Sequence, residues 1–403
     1  MPFERSYIPH RGYWSTPFCR WQGSFAHLNS LTWVAEVANE ALSRRRLDVD
    51  RFDALYLGTS VPQHHSFYGA PWVASLLGAP HLTGPTISQA CATSARVIGE
   101  AAMSLECGMN DSILCLTADR TSNGPHIYYP NPLGPGGRGA TEDWVWDNFN
   151  CDPAIGIAMV ETAENVARAH GITREQQDEV ALERYEQYET ALADERAFQR
   201  RYMLDLRVAA PSSRGSEEVV GDQGVRRSTA EGLAALGPIR EGGLITYGAQ
   251  THPADANCGF ILTSREKARE VADDPGIEIK VLSYGQARVK PGFMGEAPVP
   301  AAADALRGAS LEFSDIIAVK THNPFVVNDI YFSQQMGIPT ADMNRFGSSL
   351  IYGHPQGPTG MRLLMELIEE LVLRGGGFGL FSGCAAGDTG AALVVSVSDA
   401  GPG

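Results

Sequence analysis

Two side chains suited to covalent chemistry stand at the start of predicted helices. Cys91, in ISQACATSARVIGEAA, precedes a run of helix-forming residues, and unpaired backbone N–H groups at a helix start stabilise a thiolate. His354, in IYGHPQGPTGMR, lies in a loop restricted by glycine and proline. Such a loop holds an imidazole in one orientation, as a base beside a nucleophile requires. Taken alone, Cys91 could instead be a buried structural cysteine and His354 a turn cap.

Two further candidates follow predicted strands. Cys384, in FGLFSGCAAGDTGAAL, is expected between two strands among small residues that let a ligand approach the backbone. His322, in VKTHNPF, stands at the carboxyl end of a strand, where open α/β sheets place ligands. The structural alternatives are an ordinary tight turn for Cys384 and a hydrogen-bonded core histidine for His322.

The elements that must position these residues occur twice along the chain. AEVANEALSRRRLDVDRFDALYLGT and VPAAADALRGASLEFSDIIAVKT both predict a helix, a short link and a strand, with Leu42 and Leu47 matching Leu306 and Leu311 at an offset of 264 residues. Each half then repeats the pattern, with a helix near 91–106 before a strand near 112–118, and a helix bearing leucines at helical spacing before a strand near 378–382. The repeat predicts a duplicated α/β domain, although such patterns also recur by chance.

The region between the halves has a different composition. Pro130–Gly139 predicts a loop, and a long charged helix is expected after the N-cap Thr173, lying on the surface. Trp144, Trp146 and Phe149 follow the loop. They could form the core of this region, or they could line a pocket for a bulky or ring-bearing group.

Composition excludes several classes of protein. The 403 residues carry 32 basic and 47 acidic side chains, a net charge of −15, without a basic run, so a nucleic-acid or anionic-membrane partner is not expected. No apolar stretch approaches the roughly 18–20 residues of a membrane span, and the N-terminus does not resemble a secretory signal. Seven cysteines without a CxxC pair predict reduced thiols, no metal site and a cytoplasmic location.

Over nearly its whole length the sequence resembles the thiolase family. STPFCRWQGSF at 15–25 resembles RTPFGRFxGSL, QACATSARVIGEAA resembles the acyl-accepting cysteine segment, and ADRTSNGP at 118–125 resembles the lead into the loop domain. MVETAENVA followed by ITREQQDEVA resembles MGxTAENVA and ISREEQD, GHPQGPTGMR resembles GHPxGxSGxR, and GCAAGDTGAAL resembles CxGGGxGxAA. The resemblance implies an α/β thiolase fold, a duplicated five-layer αβαβα arrangement. Its N-terminal half would be 1–265, with a loop domain inserted at about 120–250, and its C-terminal half 266–403.

The same resemblance implies a role for each candidate. Cys91 would accept the acyl group as a thioester, His354 would take the Cys91 proton, and Cys384 would move a proton on and off the α-carbon of acetyl-CoA. His322 stands where many thiolases carry the Asn of NEAF and where the sterol-carrier-protein-type branch carries the His of HDxF, so HNPF points to that branch and to binding of the enolate oxygen. The main-chain N–H groups of Cys91 and Ala386 would form a second oxyanion site.

CoA would be a co-substrate, and no permanently bound cofactor is implied. Met159, Arg226 and Thr251 are candidate CoA contacts, although TYGAQT departs from TAGNAS, the register of Arg226 in DQGVR is open, and Ala158 replaces a histidine that often precedes the methionine.

The implied activity is thiolytic cleavage of a 3-oxoacyl-CoA, in a degradative role and with a bulky, branched or aromatic acyl group such as benzoylsuccinyl-CoA. A biosynthetic Claisen-condensing acyltransferase or ketosynthase, and a non-catalytic thiolase-like subunit, are the alternatives. The resemblance also implies a homodimer or homotetramer, and HNPF suggests a small zinc-ribbon/OB-fold partner.

Overall fold

A large sheet runs through the molecule in the computed structural model, which describes residues 2–210 and 215–399. The strands are β1 Tyr7–Ile8, β2 Tyr13–Ser15, β3 Cys19–Arg20, β4 Ala54–Gly58, β5 Thr86–Ile87, β6 Ser112–Arg120, β7 His126–Tyr129, β8 Ala140–Asp143, β9 Leu206–Ala209, β10 Ser216–Val219, β11 Ala254–Thr263, β12 Ile277–Arg288, β13 Ile316–His322, β14 Gly377–Ala385 and β15 Thr389–Asp399. The helices are α1 Ser30–Arg44, α2 Ala70–Leu76, α3 Thr93–Glu106, α4 Trp146–Asn150, α5 Met159–Ala169, α6 Arg174–Arg196, α7 Ala230–Ala234, α8 Arg265–Val271, α9 Pro298–Ala309, α10 Val326–Met336, α11 Ser349–Tyr352 and α12 Thr359–Leu373.

The two halves of the sheet have the same construction. The strand order is β13-β14-β15-β12-β1-β11-β6-β4-β5, with β2 and β3 also paired to β11. In each half a parallel pair, β4 with β6 or β13 with β14, is followed by an antiparallel partner, β11 or β15. The short strand β1 joins the halves, because Tyr7 pairs with both Thr263 and Lys280. The duplicated order expected from the sequence is therefore present, as one continuous hydrogen-bonded path rather than two separate sheets.

The sequence repeat corresponds to a repeated helix end. The backbone N–H of Leu47 donates to the carbonyl of Leu42 at 3.0 Å, and Leu311 donates to Leu306 at 3.0 Å. Before each donor, a residue adopts the left-handed conformation, Arg46 with φ 56° and Ser310 with φ 58°. The leucines 264 residues apart thus close α1 and α9 with the same C-terminal bond.

Helices form three layers around the two halves of the sheet. α3 and α12 pack against each other and contact strands of both halves, whereas α1 and α2 cover β4, β6 and β11, and α9 covers β12, β14 and β15. Because α12 lies in the middle layer, its residues from Thr359 to Leu371 are buried on every side, including Arg362 and Glu366. The leucine stripe seen in the sequence is only part of its buried surface.

The region between β6 and β11 extends from this core. Strands β7 and β8 form a hairpin around the 130–139 loop, and α6 begins after Thr173 with a capping box to Gln176, as the sequence predicts. The expectation that α6 lies on the surface rather than in the core holds for most of its residues but not for one buried face. Arg184 is fully buried and its Nε donates to Asp329 at 2.8 Å, because the charged helix packs one face against α10.

The division at 265/266, with an inserted domain at about 120–250, stays a prediction. Across residues 2–210 and 215–399, no helix combines the length and apolarity that crossing a bilayer requires.

A buried ion pair links the inserted region to the middle layer, and its removal provides a test of the packing. Arg362 donates to both oxygens of Asp222, at 2.6 and 2.8 Å, and both side chains are fully buried. We expect Asp222→Ala to lower the free energy of unfolding by about 3–5 kcal/mol, since it leaves a buried charge without its main partner.

Denaturant titration of the variant against the unchanged chain measures this loss. Asp342→Ala is the matched control, because it removes an exposed pair with Arg345 and should cost less than about 1 kcal/mol. Equal losses for the two variants would contradict the structural role assigned to Asp222.

Candidate active site

Cys91 lies in a tight turn that leads into α3. Residues Ala90–Ala92 form one 3-10 turn before the helix begins at Thr93. Ala90 has a φ of 44°, a left-handed conformation that costs energy for alanine and is typical of functional sites. The strained turn places the Cys91 side chain at the contact between α3 and the loop before α12.

The Cys91 thiol is mostly protonated at rest, which differs from the thiolate expected at a helix start. Burial raises the pKa of Cys91 to about 12, and hydrogen bonds from the backbone N–H groups of Ala386 and of Cys91 itself oppose that rise without cancelling it. The helix begins two residues after the cysteine, and the thiol is only 8% exposed. Desolvation therefore outweighs the helix terminus, and forming a thiolate at Cys91 requires a proton acceptor.

The His354 imidazole lies within hydrogen-bonding distance of that thiol. Its Nε2 lies 3.1 Å from Cys91 Sγ, and its Nδ1 lies 2.6 Å from Thr359 Oγ1. Burial lowers the pKa of His354 well below its usual value, with the neighbouring His322 as a second cause. A neutral imidazole whose Nδ1–H donates to Thr359 presents its Nε2 lone pair to the thiol.

His322 lies beside His354 at the end of β13. The two ring centroids are 4.1 Å apart, and His322 Nδ1 is 2.8 Å from Ser349 Oγ. Burial lowers the pKa of His322 to about 3, so this ring is neutral as well. Its Nε2 is buried without a hydrogen-bond partner in the described part of the chain, and one such atom in an active site is available to a ligand.

Cys384 belongs to strand β14 rather than to the turn between the strands, which corrects the sequence-based placement. Strand pairing sets His322 opposite Gly383, so Cys384 and His322 are neighbours. Asn328 Nδ2 donates to Cys384 Sγ at 3.1 Å. Burial raises the pKa of Cys384, Cys91 raises it further, and the Asn328 amide opposes the rise.

The site therefore brings the four predicted side chains together from both halves of the chain. The ligand atoms of Cys91, His322 and His354 lie within 4.8 Å of one another. Cys384 is near enough for Cys91 to raise its pKa. Ala386 lies close enough for its N–H to hydrogen-bond the Cys91 sulfur. Two thiols, two neutral imidazoles and backbone donors in a buried site can form a thioester, transfer a proton and stabilise an oxyanion.

The three predicted CoA contacts differ in their exposure and in how they are connected to this site. Thr251 donates its N–H to Pro324 at 2.8 Å and its hydroxyl to the Ser349 carbonyl, so that hydroxyl is already occupied. Arg226 is exposed. Burial lowers the pKa of His252 and Arg226 lowers it further, and the His252 carbonyl accepts the His354 N–H. Met159 begins α5 and packs against the apolar cluster that includes Cys384.

The aromatic group does not form a buried core. Trp146 is 45% exposed and contacts Trp21 and Phe149, with ring centroids 5.4 and 6.3 Å away. Trp144 donates its indole N–H to the Ser60 carbonyl at 2.9 Å. The core alternative for Trp144, Trp146 and Phe149 is therefore wrong, and Trp21 is a member of the group that sequence reasoning missed.

Several supporting residues were also missed. Asn328 holds Cys384, while Ser349 and Thr359 hold the outer nitrogens of the two histidines. Asp119 accepts the Gly357 N–H at 2.7 Å and fixes the loop after His354, and burial raises its pKa to about 6 despite these bonds. Thr359 stands five residues after His354 and could have been considered from spacing alone, whereas the others reach the site only through tertiary contacts.

Two family models match the chain, "Thiolase, N-terminal domain" over residues 13–266 and "Thiolase, C-terminal domain" over residues 277–397. An acetyl-CoA acetyltransferase of Syntrophomonas wolfei is 29% identical over 396 residues, covering 94% of this chain and 96% of that protein. The crystal structure of the Bacillus anthracis acetyl-CoA acetyltransferase matches with a TM-score of 0.89 and 27% identity, over 98% of this chain and 99% of that one. Human mitochondrial 3-ketoacyl-CoA thiolase in complex with CoA shares the fold, with a TM-score of 0.88 and 23% identity over 98% and 99% of the two chains.

The protonation state of Cys91 can be tested by its reactivity. Because burial raises its pKa to about 12, alkylation of Cys91 by iodoacetamide should keep accelerating up to about pH 11, since only the thiolate reacts. At about pH 8 the thiolate fraction would be roughly one in ten thousand. Peptide mass spectrometry measures the rate at Cys91, with free cysteine, whose pKa is about 8.5, as the control. A rate at Cys91 that levels off near pH 8 would instead indicate a preformed thiolate–imidazolium pair with His354.

Proposed function

We propose a reaction for this chain from the premise that it belongs to the thiolase family, whose members are acyltransferases that use CoA as a substrate. The proposed reaction is the cleavage of a 3-oxoacyl-CoA by CoA, through an acyl thioester on Cys91. The observation that carries it is the 3.1 Å contact between His354 Nε2 and Cys91 Sγ, with Cys384 beside the same sulfur.

In the first half-reaction His354 takes the Cys91 proton as the sulfur attacks the 3-oxo carbonyl. The bond between C2 and C3 then breaks, its electrons form the enolate of the departing CoA thioester, and Cys384 supplies the proton to C2. We propose that the enolate oxygen accepts a hydrogen bond from His322 in the neutral tautomer protonated at Nε2. The support is that this Nε2 has no other partner within the described residues.

In the second half-reaction a CoA thiol replaces the departed thioester. Its proton restores the Cys384 thiol, and its sulfur attacks the acyl group on Cys91, with the N–H groups of Ala386 and Cys91 proposed to hold the oxyanion. The products are the shortened acyl-CoA and a free Cys91, which recovers its proton from His354. Met159, Arg226 and Thr251 remain proposed contacts for the CoA arm.

Cys384 distinguishes this reaction from the alternatives. A condensing ketosynthase needs a cysteine and two polar partners, which Cys91, His322 and His354 could supply, but it does not need a second thiol. A non-catalytic subunit would need neither thiol, and the contact between His354 and Cys91 supports an enzyme.

We also propose the narrower assignments drawn from the sequence. These are the sterol-carrier-protein-type branch, a degradative direction, a cytoplasmic location, assembly as a homodimer or homotetramer and a small zinc-ribbon/OB-fold partner. The branch and the partner rest on HNPF alone. Affinity purification of the chain from its source, followed by mass spectrometry, tests the partner, and recovery of this chain alone would exclude it.

For the acyl group we propose a bulky, branched or aromatic substituent, such as that of benzoylsuccinyl-CoA. The support is the cluster of the exposed Trp146 with the partly buried Trp21 and Phe149. The Trp21 N–H donates to the Pro253 carbonyl at 3.0 Å, and Pro253 is bridged to His354. The backbone of Trp21 is therefore connected through Pro253 to the backbone of His354.

The reaction assignment is tested with Cys384→Ala. We expect this variant to lose thiolysis, because no group remains to protonate the enolate, while Cys91 still forms an acyl adduct with acetyl-CoA. Intact-mass spectrometry detects the adduct, and loss of the 3-oxoacyl-CoA enolate absorbance measures thiolysis. Cys115→Ala, at another buried cysteine, is the control and should retain turnover. Unchanged thiolysis in Cys384→Ala would exclude the thiolase mechanism.

The acyl-group proposal is tested with Trp146→Ala in a screen of 3-oxoacyl-CoAs. Removing one aromatic contact should raise KM for ring-bearing substrates by about 2- to 10-fold and leave that for acetoacetyl-CoA unchanged. Met109→Ala removes an exposed apolar side chain beyond the opposite end of α3 and should change neither value. An equal rise for both substrates would argue against an acyl pocket at Trp146.

A further inference from the structure

The rings of two histidines lie close to the Cys91 sulfur. Each Nδ1 already contacts a hydroxyl, Thr359 Oγ1 at 2.6 Å for His354 and Ser349 Oγ at 2.8 Å for His322. Each Nε2 is therefore left to face the site. The Nε2 of His354 lies 3.1 Å from Cys91 Sγ, and the donor atoms of all three residues lie within 4.8 Å of one another.

This arrangement has the chemistry of a metal site as well as that of a nucleophile and base. A tetrahedral Zn²⁺ site with one sulfur and two nitrogens needs donor atoms about 3.5 Å apart, given Zn–S near 2.3 Å and Zn–N near 2.0–2.1 Å. Since the ligand atoms lie within 4.8 Å of one another, they would have to approach by at most about 1.3 Å to reach that geometry. The hydroxyl contacts on the outer nitrogens are the kind of support that metal-binding histidines receive.

His322 provides the second, independent observation. It is 1% exposed, and its Nε2 has no hydrogen-bond partner among residues 2–210 and 215–399. A buried polar atom without a partner costs free energy. In the neutral tautomer that carries its proton on Nδ1, the Nε2 lone pair of His322 would be satisfied by a cation held between Cys91 and His354.

We propose that Cys91, His322 and His354 form an inhibitory site for a thiophilic divalent cation, with Zn²⁺ as the best-matched ion. Binding converts the Cys91 thiol to a metal-bound thiolate and releases its proton to solvent, without any change of oxidation state. A thiolate and two imidazoles suit Zn²⁺ and Co²⁺, whereas Mg²⁺ and Ca²⁺ prefer oxygen ligands. The fourth position stays open to water or to a CoA thiol.

Because the cation occupies the nucleophile, the bound form cannot accept an acyl group. This inhibition rests on the proposed function, but the binding itself does not. Acylation and metal binding should therefore exclude each other, since the thioester sulfur of acylated Cys91 is a poor ligand.

The experiment measures binding directly on the full chain. The exposed cysteines Cys107 and Cys151 are first replaced, as Cys107→Ser and Cys151→Ser, to remove adventitious thiol sites. Zn²⁺ affinity is then measured by competition with a chromophoric chelator, and Co²⁺ serves as a spectroscopic probe. We expect one ion per chain and a thiolate-to-cobalt charge-transfer band that Mg²⁺ and Ca²⁺ do not compete away.

Three variants in this background identify the ligands. Cys91→Ser should abolish the charge-transfer band, and His322→Asn should weaken Zn²⁺ binding by more than about tenfold, at least the effect of losing an outer-shell partner. His10→Asn is the matched control, because His10 is also buried and neither of its ring nitrogens has a partner in the described ranges. It should bind Zn²⁺ like the background protein.

Folding of the variants is checked separately from metal binding, by circular dichroism and thermal unfolding. If Cys91 is acylated by acetyl-CoA but Zn²⁺ does not bind, or binds equally to Cys91→Ser, the inhibitory site is excluded and the proposed function stands. If Zn²⁺ binds through Cys91 and His322 but no acyl adduct forms, the metal site stands and the proposed function fails.

Discussion

The close approach of α3 and α12 in the middle layer fixes the distance between the Cys91 sulfur and the His354 imidazole. An added Cβ at Gly360 would lie 2.9 Å from the Ser94 Cβ, so a larger residue at 360 would push the helices apart. The Ser94 hydroxyl donates to the Gly357 carbonyl, and the Gly357 N–H donates to Asp119. These contacts join the start of one helix to the start of its counterpart. Since Cys91 and His354 flank them, the gap between sulfur and imidazole follows from backbone packing.

The same burial that fixes this geometry determines the charges of the site. It raises the pKa values of Cys91 and Cys384 and lowers those of His322 and His354, so the resting groups are neutral. A neutral thiol beside a neutral imidazole transfers its proton only when a substrate stabilises the result. The backbone N–H groups and the Asn328 amide favour the thiolate forms, which lowers the cost of that transfer.

Much of this arrangement could be predicted from the sequence, because the helix ends and turns that build it depend on residues close together in the chain. The leucines of the repeat lie at equivalent helix ends, and turns at equivalent helix starts position Cys91 and His354. Each of these features depends on only a few neighbouring residues. Contacts made across the fold were not readable in this way. Arg184 looked like part of a solvated helix until α10 supplied Asp329, and Asn328 became a partner of Cys384 only through the packing of α10 against the sheet.

Two buried polar atoms near the sulfurs lower the stability of the fold because they have no hydrogen-bond partner. His322 Nε2 and Asn328 Oδ1 are buried without hydrogen-bond partners in the part of the chain that the structure describes, at about 1–3 kcal/mol each. The fold tolerates them because apolar packing and the buried pair of Arg362 with Asp222 hold the surrounding backbone in place. In the mechanism proposed above, His322 Nε2 carries a proton and donates to the enolate oxygen, whereas in the other neutral tautomer the same atom presents a lone pair to the proposed cation. Both proposals therefore start from the same unpartnered atom.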